Sequence, residues 1–166
     1  MKHRLLFIVF AVLLSACASS NYKIKYPLHN AIYQNDMRGT QELIKRGTPI
    51  NTADNYGMLP IHVAASNNST ELVKLLLSNG ADANSVDAYG NTAISYAASN
   101  NSAELVKLLL SSGADVNLRD GYGNTPILSA AEYCSSELME YLIENGAQTN
   151  VKNSAGNTIL HNCSRS

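Results

Sequence analysis

Three of the four histidines fall on one interval: His29 and His62 stand 33 residues apart, and His161 follows His62 by 99. Histidine, aspartate, glutamate and cysteine are the side chains that hold metals, carry protons or attack carbonyls, so their placement tests for chemistry first. A metal centre or an acid–base pair needs such groups to converge on one point. A fixed interval does the reverse, because it puts each histidine at the equivalent place of a successive structural unit, about 10 Å from its neighbour if the units are packed helices. The carboxylates behave alike: Asp54, Asp87 and Asp120 form one series with the 33-residue spacing, and Asp82 and Asp115 form another. No nucleophile elbow, phosphate-binding loop or zinc-protease helix motif is present. The acidic and histidine residues therefore recur because a fold recurs. The expected reading is a chain that is not an enzyme, with no metal and no cofactor.

The elements that position these residues follow from the same interval. Ser66 to Asn84 (SNNSTELVKLLLSNGADAN) laid over Ser99 to Asn117 (SNNSAELVKLLLSSGADVN) agrees at 16 of 19 positions. The offset also aligns Asp54-Asn55-Tyr56-Gly57 with Asp87-Ala88-Tyr89-Gly90 and Asp120-Gly121-Tyr122-Gly123, and Gly47 with Gly80, Gly113 and Gly146. Self-similarity at a period of this size marks a solenoid of stacked units. Within one unit, Thr92 or Thr125 can cap a first helix, and Pro60 or Pro126 suits its first position. Ala97-Ala98 and Ala130-Ala131 keep that helix thin. Asn35, Asn68 and Asn101 suit a left-handed helix-to-helix turn. Leu72, Val73, Leu75, Leu76 and Leu77 give the second helix an apolar stripe that only stacking can bury.

The sequence resembles the ankyrin family on these residues. Leu59-Pro60-Ile61-His62, Thr125-Pro126-Ile127 and Thr158-Ile159-Leu160-His161 match its helix-opening signature, and Gly80-Ala81-Asp82-Ala83-Asn84 and Gly113-Ala114-Asp115-Val116-Asn117 match its ending. The resemblance implies an all-α solenoid of helix-turn-helix units joined by β-hairpin-like loops, about four helix pairs plus a truncated unit. The boundaries are 26–53, 54–86, 87–119, 120–152 and a partial unit 153–166, expected to fray at its end. It also implies that the repeated histidine hydrogen-bonds locally and steadies its turn.

The N-terminus is of another kind. Lys2, His3 and Arg4 precede the unbroken apolar run Leu5 to Leu14, and Ser15-Ala16-Cys17 follows. Ten residues of helix span about 15 Å, half of a bilayer core, so the run reads as a signal peptide over 1–16. Leu14-Ser15-Ala16-Cys17 resembles the bacterial lipobox; the alternative is an ordinary signal peptide with a chance cysteine. The lipobox implies lipidation of Cys17, a membrane anchor there, and a tether over 17–25. Ala18, where aspartate would retain the protein, implies the outer membrane facing the periplasm. Cleavage before Cys17 removes Lys2 and Arg4 from the twelve Lys and Arg, leaving ten against thirteen Asp and Glu, a net charge of −3. Such a chain has no electrostatic reason to bind nucleic acid.

Export permits disulfides. Cys134 occupies the asparagine turn position and Cys163 an early alanine position of the next unit. Unit spacing plus one helical turn places their α-carbons beyond the ~7 Å that a bridge permits. Two separate thiols are expected, with a redox role as the alternative.

In ankyrin proteins the target lies against the hairpin tips and the concave face of the first helices. Here the tips are Asn55 and Tyr56, Ala88 and Tyr89, Gly121 and Tyr122, and the series ends at Ala155. The tyrosines suit a binding surface; the alternative is that they only pack on their neighbours. The concave face offers Ser66, Asn67, Ser99, Asn100 and the more distinctive Glu132 and Tyr133, with Tyr96 close by. The expected function is a non-catalytic module that binds a protein partner, centred on the second and third full units, and monomeric. It could serve as an immunity protein or inhibitor against a toxin or lipase, or, by analogy, as an accessory to an oxidative-stress enzyme. The alternative is a structural envelope component with no discrete partner.

Overall fold

The computed structural model describes residues 20–164. Cys17 and the signal segment lie outside the described residues. Helices α1 (Ser20–Lys25), α2 (Pro27–Tyr33), α3 (Met37–Lys45), α4 (Pro60–Ser66), α5 (Thr70–Ser78), α6 (Ala93–Ser99), α7 (Ala103–Ser111), α8 (Pro126–Ala130), α9 (Ser136–Glu144) and α10 (Ile159–Cys163) follow in order. A 3-10 turn, Ala131–Tyr133, extends α8. No strand forms among the described residues. The pairs α2/α3, α4/α5, α6/α7 and α8/α9 are the four expected helix pairs, and each first helix packs on the first helices before and after it.

The amino-acid types explain the stacking. Ala64, Ala65, Ala97, Ala98, Ala130 and Ala131 have no exposed surface, so the first helices approach closely. Leu72, Leu76, Leu105, Leu109, Leu138 and Leu142 are at most 1% exposed. Each such side chain contributes about 2–3 kcal/mol by leaving water. The first unit departs from this pattern: α3 buries Thr40 fully and Leu43 and Ile44 only in part. Its outer side carries the Glu42–Arg46 pair at 2.9 Å, a surface contact that adds little.

Turns between the two helices of a unit place Asn35, Asn68 and Asn101 at φ 53, 55 and 53°. Asparagine accepts that left-handed geometry because its short polar side chain bonds locally. Cys134 takes the same position at φ 48° without that advantage.

Carboxamides join one unit to the next. Asn51, Asn84 and Asn117 donate to the carbonyls of Gly80, Gly113 and Gly146 at 3.1, 2.9 and 3.0 Å. Asn84 and Asn117 also accept from the backbone N–H of Asp115 and Gln148 at 2.7 and 2.9 Å. Asn67 donates to the Ile32 carbonyl, and Asn100 to those of Ala65 and Ser66. These bonds tie helix-end carbonyls of one unit to side chains of the next.

Capping varies with the third helical residue. Thr92 accepts from the Ser95 N–H at 3.3 Å and shares a 2.9 Å hydroxyl contact with Ser95. Thr158 contacts His161 Nδ1 at 2.8 Å. At Thr125 the corresponding residue is Leu128, which offers no polar atom, and the buried Thr125 hydroxyl has no partner among the described residues. The expected cap at Thr125 is therefore corrected: the backbone turn forms, but the side chain does not cap it. The segment expected as a tether is also structured at its end, since Ser20–Lys25 is helical. Lys25 and the Tyr26 hydroxyl both bond Asn55 Oδ1, at 3.1 and 2.7 Å, fastening the segment to the next unit.

Candidate functional site

Each tip is built around one side-chain oxygen. Asp54 Oδ1 accepts the N–H groups of Tyr56 and Met58 at 2.8 and 3.0 Å. Asp120 Oδ1 does the same for Tyr122 and Asn124. Asn153 replaces aspartate in the last unit, with Oδ1 accepting from Ala155 and Asn157, both at 3.0 Å. One oxygen of each carboxylate is thus committed to backbone.

The later tips are then linked by backbone, with Gly121 N–H donating to the Tyr89 carbonyl at 2.7 Å and Ser154 N–H to that of Tyr122 at 2.9 Å. A Cβ on Gly90, whose φ is 76°, would lie 2.8 Å from the Gly121 nitrogen, so close stacking and left-handed backbone both demand glycine there. Arg119 adds a bridge that the sequence did not suggest, donating to the carbonyls of Gly123 and Lys152 at 2.8 and 2.9 Å.

On this rigid base the tyrosines differ. Tyr89 is 51% exposed and Tyr122 is 55% exposed, and their hydroxyls have no partner among the described residues. Tyr56 is half-buried and packs against the core. Ala88 is exposed beside Tyr89. Asn55 is exposed, but its carbonyl oxygen is engaged by Lys25 and Tyr26. Tyr96 turns inward: its hydroxyl donates to Asp87 Oδ2 at 2.6 Å. Burial first, and then the Asp87 carboxylate, raise the Tyr96 phenol far above its ordinary value. Glu132 is half-buried and Tyr133 is 42% exposed, both on the 3-10 turn.

The expected concave residues Ser66, Asn67 and Asn100 do come together. With Tyr33, Asn35, Asn68 and Ser69 they line an uncharged depression of about 470 Å³. It begins in the first unit, further toward the N-terminus than the sequence suggested. The signal that could have found it is the run of asparagine and serine at each helix-to-helix turn.

The histidines bond across units. His29 Nε2 donates to the Met58 carbonyl at 2.8 Å. His62 Nε2 donates to the Ser85 carbonyl at 2.9 Å, while its Nδ1 accepts the Leu59 N–H at 3.2 Å. A proton on that Nδ1 would face another donor, so the neutral ring is the form that fits. Among the described residues no three His, Cys, Asp or Glu are grouped to hold a metal ion.

Burial lowers the pKa of both His29 and His62 from 6.5, against the opposing pull of their carbonyl partners and nearby carboxylates. Below pH 6.5 the unfolded chain then binds protons that the native chain refuses. Stability is fully present above 6.5 and falls as the pH drops through the window beneath it. The urea midpoint is expected to decrease from pH 7.5 to 5.5. A His29→Gln/His62→Gln double variant, measured alongside, is expected to show a smaller decrease; an unchanged decrease would remove these histidines as its cause.

Cys134 and Cys163 are not separate. The Cys134 thiol donates to the Cys163 carbonyl at 3.1 Å. A hydrogen bond with Cys134, more than burial, raises the Cys163 thiol above its ordinary value. The thiol meets that carbonyl because the first helix of this unit ends in a 3-10 turn and α10 packs directly on that turn. Asn162 secures the contact by donating to the Leu128 carbonyl at 2.8 Å.

The family model for ankyrin repeats in three copies matches residues 28–120 and 104–166. A search of curated proteins finds no match.

Proposed function

Because the chain belongs to the ankyrin-repeat family, a family of interaction scaffolds that are generally non-catalytic, we propose that it grips one protein partner through its tips while anchored to the bacterial envelope at Cys17. The observation that carries this reading is the pair Tyr89 and Tyr122, each more than half exposed on a backbone locked tip to tip. Exposed tyrosine on a rigid base offers large contact area with little rotamer entropy to lose, and a hydroxyl still open to a partner. Ala88 between the tips leaves room for an incoming chain, and Glu132 and Tyr133 extend the surface on the concave side. Tyr56, Asn55 and Tyr96 act more as supports than as contacts, since each already has an internal partner or packs on the core.

The anchor rests on the N-terminal residues: a positive start, an apolar run too short to span, and Leu14-Ser15-Ala16-Cys17. No helix of the described residues is long and apolar enough to cross a membrane. Two or more acyl chains at Cys17 would give the stable attachment that a single chain does not. With Ala18 following, the outer membrane facing the periplasm is the proposed location.

One experiment tests both parts. The protein is crosslinked mildly in its native membrane, purified, and its companions identified by mass spectrometry. The wild type is expected to fractionate with membrane and to carry one dominant partner. Tyr89→Ala and Tyr122→Ala are each expected to weaken that partner about 30-fold, the effect of losing an interface hot spot, with helical circular dichroism retained. Cys17→Ser is expected to leave the membrane fraction. A diffuse set of companions indifferent to both tyrosines would reject the tip surface, and a membrane-bound Cys17→Ser protein would reject the anchor.

A further inference from the structure

Two residues break the repeat in adjoining units, and the fold brings them into contact. Position 134 is asparagine in the three preceding units (Asn35, Asn68, Asn101), and position 163 is a fully buried alanine in the corresponding first helices (Ala64, Ala97, Ala130). Both are cysteine here. Neither substitution suits the position for its own sake, because cysteine does not ease a φ of 48° as asparagine does, and alanine already fills the inner-helix site. What the two share is each other. The Cys134 thiol lies 3.1 Å from the Cys163 carbonyl. Cys134 is exposed and Cys163 half-buried, so an oxidant can reach the pair from the Cys134 side.

We propose that Cys134 and Cys163 form an intramolecular disulfide that locks α10 onto the fourth unit. With a small disulfide as oxidant the reaction balances. The Cys134 thiolate attacks one sulfur of the oxidant, breaking its S–S bond and releasing one thiol. The Cys163 thiolate then attacks the Cys134 sulfur in the mixed disulfide and releases the second. Two cysteine thiols are oxidised, one disulfide is reduced, and the two protons leave on the released thiols. The bond joins residues 29 positions apart in the sequence (163 minus 134). It ties the terminal helix, which has no second helix packed on it among the described residues, to the turn carrying Glu132 and Tyr133. The last described helix gains a covalent clasp.

The test uses the full chain treated with oxidised glutathione and digested without reduction. The expected product is a peptide linking Cys134 to Cys163, the intact chain lighter by two hydrogens, with no bound glutathione. Its melting temperature is expected to rise by about 5 °C or more, reversibly on reduction. Cys134→Asn and Cys163→Ala install the residues that the other units carry, so both are expected to fold and neither to gain stability on oxidation. Both cysteines remaining open to alkylation, glutathione held at either, or links to Cys17 or between copies would overturn the proposal. A linked peptide without any rise in melting temperature would overturn the clasp.

Discussion

Ile94→Ala is expected to cost about 3–4 kcal/mol of stability, whereas Leu160→Ala, at the same position of the repeat, is expected to cost less than about 0.5 kcal/mol. The register runs Leu28, Ile61, Ile94, Ile127, Leu160, and the first four are 2, 0, 0 and 0% exposed. Leu160 is 80% exposed. Ile94 lies on α6 between α4 and α8, so a truncated side chain leaves a cavity that close-packed helices on both sides cannot collapse to fill. Because units touch only their neighbours, the loss strikes two interfaces at once and divides the stack in its middle. Urea denaturation of both variants checks this. A Leu160→Ala cost above 1 kcal/mol would mean that something covers this side chain in solution.

This contrast marks what the repeat could reveal and what it could not. The 33-residue interval located every helix pair, the left-handed asparagines and the glycines, because those depend on residues within one unit. It treated equivalent positions as equal, and the structure separates them by what lies next door. Tyr56, Tyr89 and Tyr122 share one register. Tyr56 nevertheless packs on the core, in the unit whose tip receives the Tyr26 hydroxyl and Lys25 on Asn55. Thr92 and Thr125 share another, but Thr125 loses its side-chain cap because Leu128 stands where Ser95 does. The cysteine contact was hidden for a similar reason: α8 breaks into a 3-10 turn before Cys134, and α10 packs on that turn. The carboxamide links between units were visible only as recurring asparagines, whose partners lie 29 to 35 residues away.

Asp87→Ala is expected to cost about 3 kcal/mol and Asp87→Asn about 1 kcal/mol. Asp87 is 6% exposed and satisfies four donors: the N–H groups of Tyr89 and Asn91 at 2.8 and 2.9 Å, the Asn91 carboxamide at 3.0 Å and the Tyr96 hydroxyl at 2.6 Å. Bonds to an ionised acceptor are the stronger kind, and alanine would leave all four donors to find water in a site that admits little. Asparagine keeps one carbonyl oxygen for the two backbone groups, and Asn153 shows that arrangement working in the last unit with bonds of 3.0 Å. What asparagine cannot do is accept from both the Asn91 carboxamide and Tyr96, because its nitrogen donates. Tyr96→Phe should therefore cost about 1 kcal/mol in the wild type and less beside Asp87→Asn, where a neutral amide replaces the ionised acceptor, a coupling that a double-mutant cycle in urea would measure. Equal costs of Tyr96→Phe in both backgrounds would show that the short contact contributes no stability. The same series separates support from recognition. Asp87→Asn leaves Tyr89 in the chain but loosens the turn that presents it, so partner capture should fall while the helical signal stays. Full capture in that variant would mean that Tyr89 binds without help from a fixed tip.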